Sequence, residues 1–229
     1  PEILKVIFSK EQNCLWKIPE NLSFEEATLM DPAANGYNAV VQQGNLKSGE
    51  IVVVFGVGAL GLMSIAQASI AGASKIIAVG MKADRKRREK IARKYGADEF
   101  FASDEEENIV EKVKEAARED GVALVVDAAG VPALTSAAIQ IVRSEGSIVR
   151  IGMSNKTYED SLDGFSLKNI RFSGHMGYNQ ESWRNTLALA KAEKLNLKPI
   201  ITCILPLEEY QQGFDMTKNQ EASKVVLVP

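Results

Sequence analysis

Six segments of the chain, residues 51–55, 75–80, 98–102, 122–126, 147–151 and 170–174, are rich in Val, Ile, Phe and Ala. The first and fourth carry no polar side chain at all, the pattern of strands buried on both faces of a parallel sheet rather than of a half-solvated antiparallel one. Between them lie helical stretches: residues 60–71, apolar on nearly every side; a polar helix ending at Gly96; a charged amphipathic helix over 105–120 closed by Gly121; and a helix from Pro132 to about Arg143. Strand and helix alternating in this way predict a doubly wound α/β sheet made of two mononucleotide-binding halves. The expected strand order is 3-2-1-4-5-6, with a ligand at the carboxyl ends of the strands, across the switch point between the first and the fourth.

The flanks read differently. Residues 3–8 and 14–18 have the look of short edge strands. Ser23-Phe-Glu-Glu26 is a capping box opening a short helix through Met30. Asp31 followed by Pro32 predicts a second helix, with Asp31 as N-cap, running to about Gln43 before Gly44 stops it. Beyond Tyr178 a helix over 181–194, a strand over 200–205, a helix over 207–217 and a strand over 224–228 do not extend the sheet by repetition. The expected division is a core over 34–177 and a second lobe built from 1–33 and 178–229.

Directly after the first strand stands Gly56-x-Gly58-x-x-Gly61, with Ala59 and Leu60 at the expected helix start. A strand, this glycine spacing and a helix, followed by a second strand at 75–80, form the βαβ unit in which such glycines cradle a dinucleotide. Gly56 supplies the turn, Gly58 lets a pyrophosphate approach the backbone, and Gly61 lets helix and strand pack closely, with the phosphates on the positive helix end. Two other readings exist. Residues 51–72 carry no charge and are long enough to cross a membrane, but Gln67 and the glycines and serines argue against that. A methyltransferase-type nucleotide site on a similar sheet is opposed by the C-terminal strands.

Composition narrows the partners. A net charge of −3 over 229 residues gives no electrostatic reason to expect nucleic acid or an anionic membrane. Cys14 and Cys203, the only two cysteines, are far apart, which fits a reducing cytoplasm and no cysteine-based zinc site. The chain begins at Pro1 on a strand-like segment and is expected to be a piece of something longer.

In a dinucleotide fold an acidic residue ending the second strand contacts the ribose hydroxyls; here Gly80 stands there, with Asp84 four positions on among Lys82, Arg85, Lys86, Arg87 and Arg88. On charge complementarity that tilts the choice toward NADP over NAD, against the plain reading of a solvated helix face. The sole histidine, His175, ends the sixth strand; a structural role is the favoured reading and a general acid the other. Asp31 is explained by capping alone, and no His or Cys stands near it in sequence to complete a metal site.

Taken together, residues 15–27 (LWKIPENLSFEEA), the Gly56–Gly61 turn, Lys94-Tyr-Gly-Ala-Asp98, Asp127-Ala-Ala-Gly130, Gly152 and the closing Leu205-Pro-Leu-Glu-Glu-Tyr-x-x-Gly-Phe214 resemble the medium-chain, zinc-type alcohol dehydrogenases over essentially the whole chain. The resemblance implies a Rossmann domain inserted in a GroES-like catalytic domain, and hydride transfer between an alcohol, polyol or amino alcohol and NAD or NADP, with zinc on the substrate oxygen. It carries Asp31 onto a zinc-ligand position, its Asp-Pro resembling the threonine and polyol dehydrogenase branch. It places Leu60, Arg88, Ile151, Gly152 and Lys224 among the cofactor contacts, and Lys82 of the basic loop and Ala129 of the Asp127–Gly130 segment are further cofactor candidates. The resemblance further implies a homodimer or tetramer joined through the sixth strand at residues 170–173. Gly80 departs from the family aspartate, and the family's other zinc ligands and structural zinc lobe precede the point where this chain starts. Besides an incomplete zinc dehydrogenase, a zinc-free reductase of the same superfamily and a non-catalytic nucleotide-binding or assembly module therefore remain as readings.

Overall fold

The computed structural model describes residues 15–229; the strand expected at 3–8 lies outside them. In chain order the elements are α1 (Phe24–Ala27), α2 (Met30–Tyr37, continuing as a wider π-helical segment, Asn38–Gln43), β1 (Ile51–Phe55), α3 (Ala59–Ile70), β2 (Lys75–Gly80), α4 (Arg88–Lys94), β3 (Glu99–Ala102), α5 (Ile109–Ala117), β4 (Val122–Asp127), α6 (Pro132–Ile141), β5 (Val142–Arg150), α7 (Asp163–Leu167), β6 (Arg171–Gly174), α8 (Gln180–Lys191), β7 (Cys203–Pro206), α9 (Tyr210–Lys218) and β8 (Val225–Val228). Strands β1 to β6 form one parallel sheet in the order β3-β2-β1-β4-β5-β6, as the alternation predicted, and β7 pairs with β8 in a separate two-stranded sheet.

The apolar runs are explained by where their side chains go. Along β1, Val52 and Val54 enter one hydrophobic cluster with Leu62, Met63 and Ile65 of α3, while Ile51, Val53 and Phe55 enter another with Val113 and Ile139. A strand alternates its faces with a period of two, so only a fully apolar run serves two cores. Each such side chain contributes roughly 1.5–3 kcal/mol on burial. On the α3 side, α2 lies against α3, where Gln67 donates to the Ala33 carbonyl at 3.3 Å. Helix α8 covers α2 through Asn185 to the Tyr37 hydroxyl (3.0 Å) and Ser182 to Gln42 (2.8 Å). Ala190, Leu195, Leu197 and Ile200 join the same cluster as Leu62 and Ile76.

Several local expectations are corrected. Residues 15–18 show the expected alternation of exposure, Trp16 and Ile18 half-buried and Leu15 and Lys17 exposed, but they form no strand because no ladder partner lies beside them among the described residues. The capping box at Ser23 and Glu26 is present. Asp31 is not an N-cap: Leu29, already in a helical conformation, takes that position, so α2 begins two residues earlier, at Met30, and Asp31 and Pro32 sit in its first turn. Pro32 is tolerated there because first-turn N–H groups have no intrahelical partner. Helix α5 starts at Ile109, not 105, because Asn108 caps it by accepting from Val110 and Glu111 N–H. Strand β5 starts at Val142, with Glu145 at φ +62° and a register shift against β4. The short α7 went unanticipated. No helix among the described residues is long and apolar enough to cross a membrane.

The passage from α6 straight into β5 leaves helix-end carbonyls without intrahelical donors, and one side chain collects them. Lys168 Nζ donates to the carbonyls of Ile139, Gln140 and Val142, each at 2.9 Å. Lys168→Met keeps the stem but removes the donors, and is expected to lower the unfolding free energy by about 1–3 kcal/mol. Urea unfolding checks it; an unchanged midpoint would contradict the assignment.

Candidate functional site

The turn from β1 into α3 is built by three glycines with different reasons for being there. Gly56 has φ +87°, a conformation side chains disfavour, and its N–H donates to the Val79 carbonyl at 2.8 Å. A Cβ on Gly61 would land on the Gly56 carbonyl oxygen, so nothing larger lets α3 sit this close to the end of β1. Gly58 is different. Its φ is −71°, open to any residue, and an added Cβ would have no heavy atom within 4 Å. It caps α3, whose first intrahelical bond runs from Leu62 N–H to the Gly58 carbonyl at 2.9 Å. The N–H groups of Ala59, Leu60 and Gly61 precede that bond and stand at the positive end of the helix.

Across the switch point the ends of β4 and β5 form a second wall. Ala128 N–H donates to the Phe55 carbonyl at 2.8 Å, and the N–H groups of Ile151 and Gly152 both donate to the Asp127 carbonyl at 2.9 Å. A Cβ on Gly130 would lie 2.5 Å from the Gly152 carbonyl carbon, so the two turns touch backbone to backbone. Asp127, fully buried, accepts from Gly130 N–H (2.8 Å), Ala129 N–H (3.2 Å) and the Thr135 hydroxyl (3.1 Å). Arg150 donates to the Gly130 carbonyl at 2.7 Å and to the Thr135 hydroxyl at 3.4 Å. Gly56, Gly58, Ala59, Leu60, Gly61, Ala129, Ile151 and Gly152 thus frame one end of the sheet. Asp127 appears in sequence only as part of a motif and Arg150 with no role, although Asp127 is the lone charge ending the apolar β4.

The basic loop is less free than its sequence suggests. Arg85 is paired with Glu105 (2.7 Å) and Glu89 (3.3 Å), Lys82 with Glu105 (3.5 Å) and Arg88 with Asp84 (3.0 Å). Lys224 stands apart from the other candidates, at the start of β8, its backbone bonded to Thr202.

His175 is clamped by two asparagines of the α2 segment. Asn38 Nδ2 lies 3.3 Å from His175 Nδ1, and His175 Nε2 lies 3.0 Å from Asn35 Oδ1. Since Asn35 Nδ2 donates to the Asp31 carbonyl at 2.9 Å, its Oδ1 is the acceptor, and the ring proton therefore resides on Nε2. Burial lowers the His175 pKa, which favours the neutral ring. With both ring nitrogens engaged, the structural reading of His175 is the one this geometry supports. Asp31 itself is exposed and accepts from Asn35 Nδ2 at 3.3 Å. No group of three His, Cys, Asp or Glu side chains that could hold a metal ion exists among the described residues. The described residues alone therefore do not make up a zinc donor set.

Residues 59–192 match the family of zinc-binding dehydrogenases. The uncharacterized zinc-type alcohol dehydrogenase-like protein YdjL of Escherichia coli is 33% identical over 226 residues, covering 99% of this chain and 62% of its own length. The L-threonine 3-dehydrogenase of Bacillus velezensis is 29% identical over 217 residues, covering 94% of this chain and 61% of that protein. Among solved structures, the alcohol dehydrogenase TADH from Thermus sp. ATN1 superposes with a TM-score of 0.84 at 32% identity, over 93% of this chain and 60% of the other. The chain spans about 60% of the length of the relatives it matches.

Asp127 gives the β4 end a pH signature. Burial raises its pKa above the ordinary 3.8, against the lowering pull of Gly130 N–H, Thr135, Arg150 and Ala129 N–H. A carboxyl raised in the native state favours folding in its protonated form, a contribution present below pH 3.8 and lost as pH climbs through the native value. Asp127→Asn keeps an acceptor and cannot ionise, so it is expected to gain stability relative to the wild type across that window. Urea unfolding from about pH 3 to pH 7 measures the slope of the difference; a flat difference would contradict it.

Proposed function

The chain belongs to the zinc-binding dehydrogenase family, and from that premise we propose that its Gly56–Gly61 turn holds the diphosphate of a nicotinamide dinucleotide in a protein that transfers hydride between an alcohol, polyol or amino alcohol and that cofactor. One observation carries the reading. Of the three turn glycines, Gly56 and Gly61 are demanded by the protein's own backbone, whereas Gly58 is demanded by neither conformation nor contact. A glycine that the fold does not need, at the mouth of a helix N-terminus, leaves room for a ligand's backbone approach.

In this reading the N–H groups of Ala59, Leu60 and Gly61 bind the diphosphate. The Asp127–Gly130 turn and Ile151–Gly152 form the wall on the nicotinamide side, held rigid by Asp127, Thr135 and Arg150. A bound nicotinamide supplies the hydride chemistry; these residues orient the ring. Among the described residues Asp31 is the carboxylate we assign to zinc, whose other donors would come from outside them. The division into a 34–177 core and a second lobe from both ends belongs to the same proposal, as does pairing of two copies along β6, where Arg171 and Phe172 are exposed.

Calorimetric titration with NADH tests it on the wild type and on Gly58→Val, with thermal melts of both. The expected outcome is binding by the wild type, a loss of at least about tenfold in the variant, and melting temperatures within about 2 °C of each other. Unchanged affinity in Gly58→Val, or a variant that is grossly destabilised, would remove the observation on which the reading stands.

A further inference from the structure

Strand β2 ends on Gly80, beside the glycine turn, and in a doubly wound sheet the residue at this point faces the adenosine ribose of a bound dinucleotide. Gly80 offers no side chain and has no room for one. An added Cβ would lie 2.9 Å from Phe100 Cζ, 2.9 Å from Val57 Cγ2 and 3.0 Å from Asp84 Oδ2. The third neighbour is a carboxylate oxygen. Asp84 comes from the 3₁₀ turn Lys82–Lys86, four residues further on, and folds back to the strand end. It is 7% exposed. Its Oδ2 accepts from Met81 N–H at 2.9 Å, and its Oδ1 from Arg88 Nη1 at 3.0 Å. Those bonds use two of roughly four acceptor positions on a carboxylate.

Three of the five surrounding bases, Arg85, Lys82 and Arg88, are already held by carboxylates of this chain, and Lys86 and Arg87 carry no ion pair among the described residues. What is fixed at the strand end is an acceptor held by a backbone N–H and a guanidinium.

We propose that Asp84, reaching back from the turn after β2, accepts the hydroxyls of the adenosine ribose and makes this chain select NAD(H) over NADP(H). A ribose hydroxyl can donate to the remaining acceptor positions of the carboxylate. A 2′-phosphate has no proton to give in its dianionic form and would set further negative charge against an anion mostly removed from water. This rests on the dinucleotide reading above and reverses the choice that the run of basic residues favours in the sequence. Arg88, one of the bases that the sequence offers to a 2′-phosphate, is instead bound to Asp84 at 3.0 Å.

The test is calorimetric titration of the full chain with NADH and, separately, NADPH, then of Asp84→Asn with both. The wild type is expected to bind NADH at least about tenfold more tightly than NADPH. Asp84→Asn is expected to weaken NADH and leave NADPH no weaker, because the substitution removes a strong acceptor for the hydroxyl and a repelling charge for the phosphate. An equal loss for both cofactors would mean that Asp84 only shapes the turn, and tighter NADPH binding by the wild type would overturn the proposal outright while leaving the dinucleotide reading intact. Binding of neither cofactor by the wild type would defeat that reading itself, and this inference with it. Should Asp84→Asn fail to fold, Lys86→Gln/Arg87→Gln decides the matter from the other side: these substitutions leave NADH affinity and the cofactor ratio unchanged if Asp84 is the reader, and lower NADPH selectively if the bases are.

Discussion

The close seating of α3 on the end of β1 is the constraint from which the rest follows. Because a side chain at position 61 would strike the Gly56 carbonyl, the helix can only stand where it does with glycine there. That seating points the unbonded N–H groups of the first turn outward beyond the sheet, next to the ends of β2 and β4. It also drives Leu62, Met63 and Ile65 into the cluster that Val52 and Val54 enter from the strand. Core packing and the exposed helix N-terminus are thus two results of one contact.

The order of the sheet was legible in the sequence because it depends on apolar periodicity and glycine spacing, both of which are local. Residues 51–55 and 122–126 read as central strands because short, uncharged, β-branched runs bounded by glycine or aspartate suit a strand buried on both faces. What could not be read was decided by partners elsewhere. Residues 15–18 alternate as a strand does, yet a strand needs a neighbour. Asp31-Pro32 has the residues of a helix start, yet the chain is already helical at Leu29 because α1 delivers it so. Asn108, by contrast, outcompetes Glu105 as a helix start through two backbone bonds, a start that Glu111 three positions on marks in the sequence and that a reading from 105 passes over.

The chemistry follows the same division. The three turn glycines were visible as a motif, but only the space around each separates the two that serve the fold from the one that leaves room for a ligand. His175 stood in sequence as an isolated histidine; its meaning came from Asn35 and Asn38, about 140 positions away, which fix its tautomer. The basic run after β2 reads in sequence as five free cations, whereas in the fold Lys82, Arg85 and Arg88 are held by Asp84, Glu89 and Glu105. Charge in a sequence is a count, whereas charge in a fold is a set of pairs.

The central claim, that the carboxyl end of the sheet at the β1–α3 turn is where this chain meets a nicotinamide dinucleotide, is tested most directly by following backbone amide resonances on titration with NADH. The account expects the largest shifts at Gly58 through Gly61, with a second group at Ala129, Gly130, Ile151 and Gly152 across the switch point. Shifts confined to the two-stranded β7–β8 sheet, or none at the glycine turn at saturating NADH, would contradict it.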